Sequence, residues 1–199
     1  MIATITPVVY GSRKRAKWAV AALLFSTAEA LGGATMGALL GGVGWLLARG
    51  RPLPGAAWWA LAVGAALYAL NEGGLVKLPR PSSPWQVPRG WRARFHPWRV
   101  AAGFGWLLGL GVLTHVETAT FYLLVAWSVL SGSPLTSALV FAGFGLAQSL
   151  AFTVDGLRIE TLDDTRSVGE WRLRWRGFVH RVNAAVLAAV GVFVALIAR

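Results

Sequence analysis

Three ionisable side chains interrupt apolar stretches of this sequence: Glu29, His115 and Glu117. Inside a bilayer such groups cost about 2.5–3.5 kcal/mol each on insertion scales, so each invites a functional reading. His115 and Glu117 stand two residues apart, within the polar patch Thr114-His115-Val116-Glu117-Thr118. On a continuous helix they would point about 200° apart, and no common ligand could reach both. A broken backbone would bring them together, and Glu29 could then face them as a third group. That arrangement would make a proton or cation site lining a polar cavity. The other reading puts the patch at the outer membrane surface. Thr114 lies about 24 Å along a helix from Trp98, close to the headgroups. Glu29 also has two readings. It is an ion site, or it is a structural carboxyl hydrogen-bonded to Ser26, Gln148 or another helix. Gln148 and Asn183 read as interhelical hydrogen-bonding residues, each worth about 0.6–2 kcal/mol. Glu72, beside Asn71 and near Lys77 and Arg80, reads as half of a boundary ion pair. His180 and Arg181 read as interfacial anchors.

The elements that would position these groups are helices. Five apolar segments follow one another: 18–48, 56–76, 98–130, 135–154 and 178–198. The first and third are longer than a bilayer core of about 30 Å requires. The third would reach roughly 50 Å as one straight helix. It is therefore tilted, projecting or broken, with the polar patch as the natural breakpoint. Gly33, Gly37 and Gly41 recur at a spacing of four, so they share one face of the first helix. With Gly105 and Gly109 they offer small-residue surfaces for close helix packing. Prolines mark the turns, two in 49–55 and five in 77–97, where long regular helix is disfavoured. The segment 155–177 carries mixed charge and reads as a second hydrophilic loop. It ends in Trp171-Arg172-Leu173-Arg174-Trp175-Arg176, which suits an anionic membrane surface.

Composition agrees with that layout. The chain is 56% hydrophobic and 14% charged, with 24 glycines. The fold class expected is an all-α, polytopic integral membrane helical bundle of about five transmembrane helices, forming a single transmembrane domain over residues 1–199. The net charge of +11 sits in short loops. Four Lys or Arg precede the first segment, five lie in loop 77–97 and five in loop 155–177. Arg49, Arg51 and Arg199 are alone on the other side. This bias places the N-terminus inside and the C-terminus outside a bacterial inner or plasma membrane, both longer loops being cytoplasmic. It also argues against a nucleic-acid partner, because no soluble domain carries a basic face. The sequence has no cysteine, which excludes disulfides, thiol relays and thiolate metal sites within this chain. Three histidines, widely spread, make a poor metal or haem case. No P-loop, HExxH or GxSxG motif is present. The N-terminal stretch places its charges after a short apolar run, unlike a cleavable signal.

The order of elements resembles the transmembrane domain of the CcdA/DsbD-type proteins. It comprises a glycine-rich helix, a second helix, a Pro/Arg-rich inner loop, a long broken helix, a Gly-Ser turn, a helix, a basic loop and a final helix. Those thiol-disulfide reductases serve cytochrome c maturation, are similar to LysE-type exporters, and consist of two inverted three-helix repeats. The resemblance implies that residues 16–199 correspond to their second through sixth helices, with Met1–Ser12 as a remnant of the first. Where that family breaks a helix at Thr-Pro-Cys, this chain has Leu113-Thr114-His115-Val116-Glu117, with neither Pro nor Cys. The scaffold is implied; the electron-carrier chemistry is not.

Two functions follow. One is a small transporter-like protein that moves a solute or ion through Glu29, His115 and Glu117. The other is a non-catalytic membrane subunit that docks a partner membrane complex, or a second copy of itself, through its glycine faces and basic surface. Neither requires a cofactor or metal, and enzymatic activity has no motif behind it.

Overall fold

The computed structural model describes residues 15–49, 54–78, 94–111, 119–157, 159 and 162–198. Among them the regular elements are helices: α1 (Arg15–Ala48), α2 (Gly55–Glu72), α3 (Pro97–Gly109), α4 (Ala119–Ser131), α5 (Pro134–Leu157) and α6 (Leu162–Ile197). The all-helical class expected from the sequence is what is found. Three stretches are long and apolar enough to cross a membrane: Ala16–Ala48, Pro134–Leu157 and Ser167–Ile197. Along them many large apolar side chains point outward, among them Leu23, Leu47, Leu139, Val192 and Phe193. In water such a surface would be untenable; in lipid it is the solvated face.

Two expected segments are changed. The long third segment is two helices of 13 residues each, α3 and α4. At about 1.5 Å per residue, each covers only about 20 Å. α3 stops because Gly111 turns into the left-handed region at φ 69°, and the Gly111 N–H donates to Leu108 O at 2.9 Å. A helix end of this kind is where glycine is favoured over any L-residue. The second change concerns the loop 155–177, most of which is helical. α6 begins at Leu162 and runs 36 residues without interruption. The segment's charges break the apolar pattern and so suggest a loop. Charge, however, does not stop a helix, and no proline follows Pro134 in this chain.

The helices gather into two compact units. The first takes α1 up to Met36, α3, α5 from Ala138 and α6 as far as Arg174. Its core is Ala21, Phe25, Ala101, Phe104 and Leu108, with Phe152 packed against it. Phe25 stacks on Phe104 at 5.9 Å and meets Phe152 edge-on at 6.4 Å. α5 and α6 are pinned by Arg172, whose Nε donates to Asp155 Oδ2 at 2.7 Å. The same guanidinium lies 5.5 Å from the Phe152 ring centre.

The second unit takes α1 from Gly37, α2, α4, the first turn of α5 and α6 from Trp175. Leu61, Ala62 and Val194 form its core, with Trp58, Leu123, Trp127 and Leu130 against it. The turn between α4 and α5 passes through Gly132 at φ 57°. Beyond it the Thr136 N–H donates to Ser133 Oγ at 3.4 Å, the capping bond expected of a serine before a helix.

Candidate functional site

Glu29 sits in the first unit, on the stretch of α1 that packs against α3 and α5. Its position follows from glycines on both partners. A Cβ on Gly105 would strike the Phe25 carbonyl, and one on Gly109 would strike the carbonyl of Glu29 itself. From α5, a Cβ on Gly145 would stand 2.8 Å from the Glu29 carbonyl oxygen. Gly33, one turn beyond Glu29, lies against the Phe141 backbone in the same way. Helix backbones thus approach to within contact around Glu29, as small residues permit in lipid. Phe25, one turn earlier, is 1% exposed and Phe141 also 1%.

The result is a carboxyl group with no exposed surface. Neither Oε1 nor Oε2 has a hydrogen-bond partner among the described residues. The bonds envisaged to Ser26 or Gln148 are not made, and half-buried Gln148 bonds to no described residue. Buried side-chain oxygens nearly always have a partner. One left bare in a tightly packed helix crossing requires an explanation beyond packing, because leucine would fill the space at lower cost.

A second polar cluster occupies the second unit, built from three helices. Glu72 ends α2, and its side chain is fully buried. Its Oε2 meets His180 Nδ1 from α6, and its Oε1 accepts from the Ala119 N–H at 3.3 Å. The carboxyl group therefore caps the start of α4, where unpaired N–H groups favour a negative charge. One residue on, Thr120 Oγ1 donates to Asn183 Oδ1 at 2.6 Å. Asn183 lies one turn past His180, and its buried Nδ2 has no described partner. The sequence signals Glu72 as half of an ion pair but cannot identify a partner 108 residues away. His180, read as an anchor, is that partner.

The remaining predicted residues fall as follows. His115 and Glu117 lie outside the described residues, as do the rest of the 114–118 patch and residues 79–93 of the first hydrophilic loop. Gly37 is buried. A Cβ on Gly41 would come 2.6 Å from the Ser133 carbonyl oxygen. Further contact glycines escaped the sequence reading, among them Gly32, where a Cβ would strike the Trp106 carbonyl oxygen. Gly44 lies against the Val129 backbone, and Gly145 against Glu29. Gly44 extends the α1 ladder by one turn, so its signal was present. Gly145 had none beyond its residue type. No cluster of three or more His, Asp or Glu able to hold a metal occurs among the described residues.

Compared with known proteins, residues 3–194 match the family described as the cytochrome C biogenesis protein transmembrane region. Several relatives carry the name methylamine utilization protein MauF. The one from Methylophilus methylotrophus is 31% identical over 174 residues, 87% of this chain and 59% of that protein. The one from Methylorubrum extorquens is 32% identical over 185 residues, 92% of this chain and 62% of its own length. The one from Paracoccus versutus is 29% identical over 197 residues, 99% of this chain and 70% of that one. This chain thus spans about three-fifths of the length of the first two relatives. No solved structure matches it.

Proposed function

This chain belongs to the cytochrome c biogenesis transmembrane-region family, and from that premise we propose that it serves methylamine utilisation as a transporter-like membrane protein with Glu29 as its ion-binding group. It is a multi-pass protein of the bacterial cell membrane, of the family its helix layout resembled. The relatives' name supports the metabolic context. One observation carries the molecular reading: a carboxyl group with no exposed surface and no partner for either oxygen, where three helices meet backbone to backbone. A proton or small cation is the chemistry that would satisfy it. His115 and Glu117, outside the described residues, stay with this reading as further candidate groups. The sequence has no cysteine and so supplies no thiol to this reading.

The test is flux in proteoliposomes. Wild-type protein should pass protons or methylammonium, and Glu29→Gln should lower that flux at least tenfold with helicity and yield unchanged. Equal flux in the two proteins would remove Glu29 from the function.

A second reading keeps some support. A cysteine-free member of a redox family could dock a partner that holds the thiols. The glycine faces first suggested for docking are less available for it, since Gly33 and Gly41 lie against this chain's own backbone. A docking subunit should tolerate Glu29→Gln and fail when its partner contact is lost.

A further inference from the structure

The flank of α6 between Trp175 and Arg181 has a composition that neither the family nor the ion-site reading explains. α6 is 36 residues long, which is about 54 Å at 1.5 Å per residue. A hydrocarbon core takes about 30 Å of that. Part of the helix must therefore stand at the level of the headgroups. From Trp171 to the last residue the sequence contains no acid. Arg172 is engaged by Asp155, while Arg176 and Arg181 are exposed and form no ion pair among the described residues. His180, between them, is turned to Glu72.

Beside these charges lie two exposed aromatic rings. Trp175 and Phe178 are 47% and 56% exposed and meet edge to face at 5.5 Å. Phe178, Arg181 and Val182 follow at spacings of three and four, so a cation and an aromatic pair share one stripe of the helix. The apolar run of α6 continues from Val182 to Ile197, so Arg181 stands about 9 Å deeper than Trp175, and its guanidinium snorkels back toward the interface that tryptophan favours.

We propose that this stripe binds the headgroup phosphate of an anionic phospholipid. Arg181 reaches up to pair with the phosphate, Trp175 and Phe178 flank the headgroup on its interfacial side, and Arg176, about 140° round the helix, adds only long-range positive charge. The occupant is fixed by charge complementarity: the exposed cation Arg181, a second cation on another flank of the helix, and no acid on a stripe whose other components are apolar. A zwitterionic headgroup supplies no net charge to match. A basic side chain near an anionic surface strengthens binding several-fold, so two should together favour the anionic lipid by on the order of tenfold.

Native mass spectrometry of the full chain, exchanged into mixed phosphatidylglycerol and phosphatidylcholine nanodiscs, would test this. Wild-type protein should retain phosphatidylglycerol over phosphatidylcholine by about tenfold. R181Q should lower that preference, and the double variant R176Q/R181Q should bring retention to parity, with helicity intact. W175A should weaken retention of both lipids. Equal retention of the two lipids by wild-type protein would overturn the assignment, as would an unchanged preference in a folded R181Q. Should the arginine variants fail to fold, a salt series on wild-type protein decides. The preference should fall as salt rises, and a preference indifferent to salt would contradict a phosphate site.

Discussion

Two glutamates, both buried, have opposite surroundings. Glu72 touches an imidazole and a helix N-terminus; Glu29 touches no polar partner among the described residues. The first is a structural clasp and the second is the proposed ion site, and they should respond differently to substitution. Replacing Glu72 by Ala removes the His180 partner and uncaps α4, which should cost about 3–5 kcal/mol, the range for breaking a buried pair. Glu72→Gln keeps an acceptor for the Ala119 N–H and should recover part of that loss. Unfolding midpoints of the two variants in detergent would check the ranking; equal midpoints would mean that the cap contributes nothing. Glu29→Gln, by contrast, should leave the midpoint unchanged or raised, since it replaces an unpaired acid with a neutral group of the same size. At this scale the sequence identified Glu29 by its depth in an apolar run. It could not identify the Glu72–His180 pair, because the partners are distant in sequence and both sit near segment ends, where charge is commonplace.

Elements were legible where periodicity or glycine spacing spoke, and less so where charge did. The ladder Gly33, Gly37, Gly41 declares one packed face, and Gly105 with Gly109 declares another. The structure puts Gly33, Gly41, Gly105 and Gly109 against backbone. The splitting of segment 98–130 was anticipated from its excess length, and Gly111 at φ 69° is its local cause. The helical course of residues 162–177 was missed, because alternating charge resembles a loop until helix-stopping residues are sought and found absent. One comparison tests the glycine account. Gly109→Ala forces a Cβ against the Glu29 carbonyl and should destabilise by about 1–3 kcal/mol, as overpacking does. Gly143→Ala meets nothing within 4 Å and should be neutral or stabilising by up to about 1 kcal/mol, the helix propensity gain. If both lose equally, backbone approach is not what the glycines supply.

For the whole molecule, composition alone set the class. A chain 56% hydrophobic with 14% charged residues cannot hide its apolar surface in a core of this size, and the outward leucines and valines of α1, α5 and α6 bear that out. Activity was less legible, because the chain has no cysteine and its candidate site rests on scattered polar residues rather than a motif. The absence of cysteine also makes the deciding measurement clean. A lone Glu29→Cys substitution in the membrane-embedded protein can be probed with a membrane-impermeant thiol reagent added to one side at a time. An ion site must be reachable from water, so position 29 should label from at least one side. A position sealed from both sides would mean that Glu29 is buried for packing alone, and the transporter-like reading would fall.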